Sequence, residues 1–212
     1  MVVQVAGEEK PRNYSTVFNT TTLACMQRMD LRGAELHPVH KDAIRCLHYD
    51  ASSKVAIQFK NPWWITKVGI TNGGTSSTDY PIRTCVYPSY NLTDNPLHPA
   101  VLLCSYTWAQ DAQRVGGLIG ADGHGINEEL LELVLKDLAI LHEDVITYKE
   151  LKENVKEYHA WDWYADPNSS GAFALFAPGQ FSRLYPILCR PTADANLHFA
   201  GEGNALSQIL EI

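Results

Sequence analysis

The clearest periodicity in the chain is Leu130, Leu131, Val134, Leu135, Leu138 and Leu141, spaced for one face of a helix that Asn127 can cap. The opposite rhythm runs from Lys54 to Lys60. There Val55, Ile57 and Phe59 fall on one side and a mixed set on the other, which predicts a strand with one buried face. Ala100 to Tyr106 is apolar throughout and predicts another strand, followed by a short helix from Trp108 that the glycines between 116 and 125 end. Val39, Ala43, Cys46 and Leu47 share the face of a modest helix, and Leu23, Met26 and Met29 mark a short helical stripe or a loop. Toward the N-terminus, Val2–Ala6 predicts a strand, Gly7–Pro11 a turn, and the β-branched run Tyr14–Thr21 the returning strand. Pro81–Pro88 predicts a further strand, Gly73–Asp79 a flexible loop, Asn91–Pro99 a loop, and Asp144–Tyr158 a charged connecting segment. Asn61-Pro62-Trp63-Trp64 ends its strand on a tryptophan pair that reads as core packing. The last strand, Asn196 to Glu202, buries Leu197, Phe199 and Ala200 and stops at Gly201.

These elements add up to an α/β or α+β chain: a mixed sheet of five to seven strands with flanking helices on one side. Its 212 residues are 45% hydrophobic and 19% charged, a globular composition large enough for one big domain or two small ones. The net charge of -7, with no basic run, excludes a nucleic-acid partner. No apolar run reaches membrane-spanning length, and Met1–Lys10 turns charged within a few residues, so neither a membrane nor a leader segment is expected. The five cysteines lack CxxC spacing and read as unpaired buried thiols, which suits a reducing compartment. The eight histidines are scattered, and His37 and His40 lack an acidic companion at zinc-site spacing, so no metal is expected.

Candidate chemistry gathers at the C-terminal end. A strand that stops on glycine before a helix-compatible stretch leaves backbone N–H groups free, a geometry that favours a phosphate. Upstream lie Trp161-Asp162-Trp163-Tyr164, Asp166-Pro167 and the run Gly171-Ala172-Phe173-Ala174-Leu175-Phe176-Ala177-Pro178-Gly179-Gln180-Phe181. Together with Leu197–Glu202, in this order and spacing, these stretches resemble the C-terminal part of the FAD-dependent amine oxidases, and within them the L-amino acid oxidases of fungi.

The resemblance implies an FAD enzyme, with Ala200, Gly201, Glu202 and Gly203 at the cofactor's phosphate and ribityl chain. It makes Trp163 and Phe173 aromatic walls of the substrate cavity, with Trp163 also against the flavin. An aromatic wall excludes water and orients the substrate for transfer of its Cα hydride. Tyr87 matches the place where these oxidases present a hydroxyl to the substrate carboxylate; the plainer reading, a half-buried strand tyrosine whose hydroxyl reaches solvent, stands beside it. The family lysine that binds a water near the flavin is expected after the helical stripe, yet residues 28–33 read Arg-Met-Asp-Leu-Arg-Gly. Arg28 and Arg32 are the cations there, and arginine is a poor proton relay. In family terms, residues 1–20 lead into the FAD domain, 21–190 form the substrate-binding domain, and 191–212 are a C-terminal FAD-binding segment of a Rossmann-like domain. No GxGxxG occurs, so the chain resembles a truncated product or subunit, with a homodimer or a complementing N-terminal half as the implied partner. The implied reaction is oxidative deamination of an L-amino acid to the 2-oxo acid, ammonia and hydrogen peroxide. A polyamine or monoamine oxidase, or a catalytically dead fragment, are the rival readings.

Overall fold

The computed structural model describes residues 1–90, 95–120 and 127–204. The loop expected at Asn91–Pro99, the glycine-rich break before Asn127 and the residues after Asn204 thus lie partly or wholly outside the described residues. The chain divides into two compact units, Met1–Asp50 with Asn168–Ile212, and Ala51–Pro167. The sequence-based division at 20/21 and 190/191 falls inside the first unit at both points.

The first unit opens with β1 (Val2–Val3), which pairs antiparallel with β2 (Arg12–Asn13). The hairpin is therefore shorter than the sequence suggests, and Tyr14–Thr21 is not its returning arm. That stretch supplies β3 (Val17–Asn19), followed by α1 (Leu23–Met26) and α2 (Pro38–Cys46). Proline at the first turn of α2 suits the helix start, and His37 Nδ1 accepts the Val39 N–H at 3.2 Å. β4 (His48–Asp50) closes this segment.

The second unit begins with β5 (Ser52–Phe59) and α3 (Trp63–Thr66), whose Trp63 and Trp64 are wholly buried, as core packing predicts. Next come β6 (Gly74–Ser77), β7 (Thr84–Tyr87), β8 (Ala100–Trp108) and α4 (Ala109–Gly116). β6 corrects the expected loop: its short hydroxyl side chains carry no hydrophobic rhythm, and pairing with β7 makes it a strand. α5 (Glu128–Leu141) starts where Asn127 Oδ1 accepts the Glu129 N–H at 2.8 Å, with two glutamates in its first turn. The expected charged connection is in fact α6 (Tyr148–Asn154), started by a Thr147–Glu150 capping box, running directly into β9 (Val155–Asp162). The sheet order is β6-β7-β8-β5-β9, antiparallel at every step. Leu130, Val134, Leu135 and Leu138 of α5 and Leu151 of α6 pack with Val55, Ile57, Phe59, Leu102 and Cys104 in one apolar cluster.

The chain then returns to the first unit with β10 (Phe173–Leu175), α7 (Gln180–Leu188) and β11 (Leu197–Phe199). β10 pairs antiparallel with β4, and β11 pairs parallel with β3. The mixed character expected of the sheet is thus divided: the five-stranded sheet is antiparallel, and the parallel pairing belongs to β3 and β11. α2 and α7 cover this unit's core of Leu23, Met26, Tyr49, Leu184 and Leu197. Among the described residues, no helix is long and apolar enough to cross a membrane.

Candidate functional site

In the first unit, β11 ends at Phe199 and the chain enters a short 3-10 turn, Glu202–Asn204. The Ala200 N–H still donates to Asn19 of the neighbouring strand at 2.8 Å. The backbone N–H groups of Gly201, Glu202 and Gly203 then open the turn, and only Asn204 returns its N–H to a carbonyl, that of Gly201 at 3.0 Å, among the described residues. Three successive donors without an internal acceptor are the donor set that a phosphate or a polyol chain needs. The residues present therefore fit the part of FAD that the resemblance places here.

Packing holds this turn in position. A Cβ on Gly203 would stand 2.9 Å from Tyr49 Oη and 3.6 Å from Ala174 Cβ, and one on Gly201 would stand 3.2 Å from the Thr20 carbonyl oxygen. Tyr49 is buried, accepts the Leu23 N–H at 3.1 Å, and has its pKa pushed up to about 12 by that burial. Both carboxylate oxygens of Glu202 accept the Ala174 N–H, at 3.0 and 3.1 Å. Desolvation pushes the Glu202 carboxyl above its ordinary range while the Ala174 N–H pulls it down. This bond ties the turn to β10, where half-buried Phe173 is the next residue along. Gly171, with φ +133°, lets the chain enter β10: a Cβ there would fall 2.4 Å from Tyr49 Cβ. Phe173, Ala200, Gly201, Glu202 and Gly203 are thus brought together.

Tyr87 and Trp163 belong to the second unit. Tyr87 faces the helices and is 3% exposed. Its hydroxyl lies 2.5 Å from His142 Nε2 and 2.9 Å from Ser76 Oγ. His142 Nδ1 donates to the Leu138 carbonyl at 2.9 Å, so Nε2 is the acceptor of the Tyr87 proton. Burial lowers the His142 pKa and raises that of Tyr87, which keeps both neutral. The hydroxyl is committed inside the unit, which corrects the plainer reading of a half-buried tyrosine with its hydroxyl in solvent: the side chain is buried and meets His142 and Ser76 instead.

The other face of the sheet carries the chemistry that periodicity alone did not single out. Register partners place Ser77, Thr84, Tyr106, Lys54 and Trp161 in one row across all five strands. Lys54, on the interior strand β5, is half-buried, and its Nζ stands 4.8 Å from the centre of the Tyr106 ring. Trp161 and Trp163 are 5.5 Å apart, and Tyr106 and Trp108 5.8 Å, so aromatic pairs flank the lysine on both sides. The signal was present in the sequence: a lysine on the mixed face of an alternating strand, between two strands that each carry one tryptophan.

A family model described as flavin containing amine oxidoreductase matches residues 2–209. L-amino-acid oxidase 4 of Hebeloma cylindrosporum is 44% identical over 209 residues, covering 95% of this chain and 32% of that protein. An L-amino-acid oxidase of Siganus canaliculatus is 36% identical over 209 residues, covering 96% of this chain and 36% of that protein. Among solved structures, cyclohexylamine oxidase from Brevibacterium oxydans superposes with a TM-score of 0.69 at 12% identity, over 92% of this chain and 38% of that one, a likeness of fold. The chain thus spans about a third of the length of these relatives.

Proposed function

The chain belongs to the flavin-containing amine oxidoreductase family, and we propose that its residues serve the FAD-dependent oxidative deamination of an L-amino acid to a 2-oxo acid, ammonia and hydrogen peroxide. The observation that carries this reading is half-buried Lys54 set between Tyr106 and Trp161 on the sheet face opposite α5 and α6. The L-amino-acid oxidases that match over nearly the whole chain support the substrate class.

Bound FAD supplies the two-electron acceptor. Gly201, Glu202 and Gly203 would hold its phosphate and ribityl chain through backbone N–H groups, with Ala200 beside them. Glu202 keeps the turn in shape through Ala174 rather than by reaching for the ligand. Trp163 in the second unit and Phe173 in the first are each assigned as an aromatic surface that excludes water and limits the poses of the amino acid. Lys54 takes the place of the lysine missing from residues 28–33: Nζ donates to a water and fixes its position, while Tyr106 and Trp161 restrict the side chain. Its positive charge also disfavours a protonated substrate amine nearby, which leaves the nitrogen lone pair available. Tyr87 serves here as a structural residue of the sheet rather than as a carboxylate ligand.

The test is the visible spectrum of the purified 212-residue chain after incubation with FAD and gel filtration, followed by a peroxide assay. The expected result is retained flavin absorbance, with L-amino acids preferred over polyamines and monoamines. A colourless protein sinks the claim that these residues form a usable flavin site, and preference for amines sinks the amino-acid reading.

A further inference from the structure

The lysine row ends beside a cavity that carries none of the site residues named so far. It measures about 350 Å³ and lies in the second unit, walled by Ser77, Thr84, Trp108 and the Arg83–Asp111 pair. Ser77 and Thr84 are cross-strand partners, and Thr84 is the register partner of Tyr106, which in turn pairs with Lys54. Ser77 and Thr84 on the wall of the hollow thus share the sheet face that carries Lys54, while Arg83 and Asp111 close its other side.

The charges around the hollow are already spent. Arg83 Nε and Nη2 donate to Asp111 at 2.7 and 3.2 Å, and Nη1 donates to the Asp79 carbonyl at 3.2 Å. Arg114 adds a second donor to Asp111 at 3.4 Å. Ile82 fixes the base of this arrangement. Its N–H donates to buried Asp137 at 3.3 Å and its carbonyl accepts from Ser105 at 3.0 Å, holding Arg83 at φ +55°. A carboxylate or ammonium entering the hollow meets cations and anions that already neutralise each other.

The uncharged groups, by contrast, are available. The hydroxyls of Ser77 and Thr84 have no hydrogen-bond partner among the described residues, and each can both donate and accept. Trp108 is 53% exposed and offers an indole surface at the rim. A ligand group matched to these walls is neutral, planar, and both donor and acceptor. An aliphatic group would leave both hydroxyls without a partner on the ligand.

We propose that this hollow is a subsite for a carboxamide, so that the amino acid handled at the lysine row is one with a carboxamide side chain, glutamine or asparagine. The assignment to substrate rests on the oxidase reading; the subsite itself rests on the second unit alone.

The experiment is a titration of the full chain, with 15N-labelled indoles, by L-glutamine, L-leucine and L-glutamate, following the Trp108 indole cross-peak assigned with Trp108→Phe. A saturable shift with L-glutamine, absent or much smaller with the other two, is expected. Thr84→Val, which keeps the shape and removes the hydroxyl, is expected to weaken the apparent affinity about tenfold. Equal shifts with L-leucine, no shift with L-glutamine, or an unchanged Thr84→Val overturn the proposal. Flavin absorbance of the same sample reads the oxidase reading separately. A glutamine shift in a colourless protein keeps the subsite and removes its catalytic meaning, whereas retained flavin without a shift removes the subsite alone.

Discussion

The second unit pairs its five strands into one antiparallel sheet and covers one face with α5 and α6, whereas the first unit builds three separate two-stranded pairs from the two ends of the chain. In the second unit apolar area does most of the work, and the polar side chains stand on the face opposite α5 and α6. In the first unit the strands are two or three residues long, and position is set by close backbone approach and side-chain-to-backbone bonds. Tyr49 accepts from Leu23, Glu202 accepts from Ala174, and Asn204 Nδ2 donates to the Leu188 carbonyl at 3.0 Å. A sheet face presents side chains to a small molecule; a turn at a strand end presents backbone donors to a cofactor. On the proposed function, the second unit serves the first of these tasks and the first unit the second.

All five tryptophans, at 63, 64, 108, 161 and 163, lie in the second unit, so tryptophan fluorescence reports that unit alone. The largest effect is expected for Phe59→Ala. Phe59 is fully buried, and its ring meets Trp63 and Trp64 edge-on at 5.9 and 6.1 Å. Truncation costs about 3–5 kcal/mol. In urea, the fluorescence midpoint falls while a separate far-UV transition from the first unit stays where it was. Coincident transitions in both proteins would show that the units unfold as one and break the comparison.

Tyr87→Phe comes next, at about 1–3 kcal/mol, because it leaves buried His142 Nε2 without a donor. If Tyr87 is structural, stability falls and substrate affinity does not; a loss of affinity at unchanged stability restores its role at the substrate carboxylate. The same network makes the second unit sensitive to acid. Burial lowers the His142 pKa from 6.5, so below that pH the unfolded chain takes a proton that the folded one refuses. Stability is therefore full above about 6.5 and is lost as the pH falls toward the folded-state value. Asp137, its carboxyl raised from 3.8 by burial, works in the opposite sense from about pH 4 upward. His142→Gln should flatten the fluorescence-detected stability between pH 7 and 5; an unchanged slope assigns the acid effect to other groups. His40, buried in the first unit with its pKa also lowered by burial, gives that unit its own acid loss, invisible to fluorescence.

The sequence made the second unit largely legible, because its strands and helices carry apolar residues at periods of two and 3.6. The α5 stripe, the Val55–Ile57–Phe59 face and the Asn127 cap all appear where the pattern puts them. Where side chains are small and polar the rhythm is silent, and β6 passed for a loop although its pairing with β7 is regular. α6 was hidden by charge, since its capping box is a local signal without an apolar stripe. The first unit resisted reading because its partners are remote: β3 finds β11 about the whole chain away, and neither end announces the other. Candidate residues followed the same rule. The C-terminal turn was visible as a strand stopped by glycine, whereas Lys54 becomes conspicuous only when register sets it beside Tyr106 and Trp161.

Gly203→Ala tests the first unit by its own logic and carries the smallest expected effect. The added methyl meets Tyr49 Oη at 2.9 Å, so the phenol must shift and its bond from the Leu23 N–H lengthens. Overpacking of this kind costs about 1 kcal/mol where short pieces can slide, the low end of the range. Tryptophan fluorescence should not register it, since no tryptophan belongs to that unit, whereas the far-UV transition of the first unit should move down. Flavin retention should fall by more than the stability loss explains, because the methyl displaces the turn whose N–H groups are proposed to hold the cofactor. Full flavin retention at reduced stability would mean that Gly203 is small only to make room for Tyr49, and that Gly201 and Glu202 supply the donors that matter.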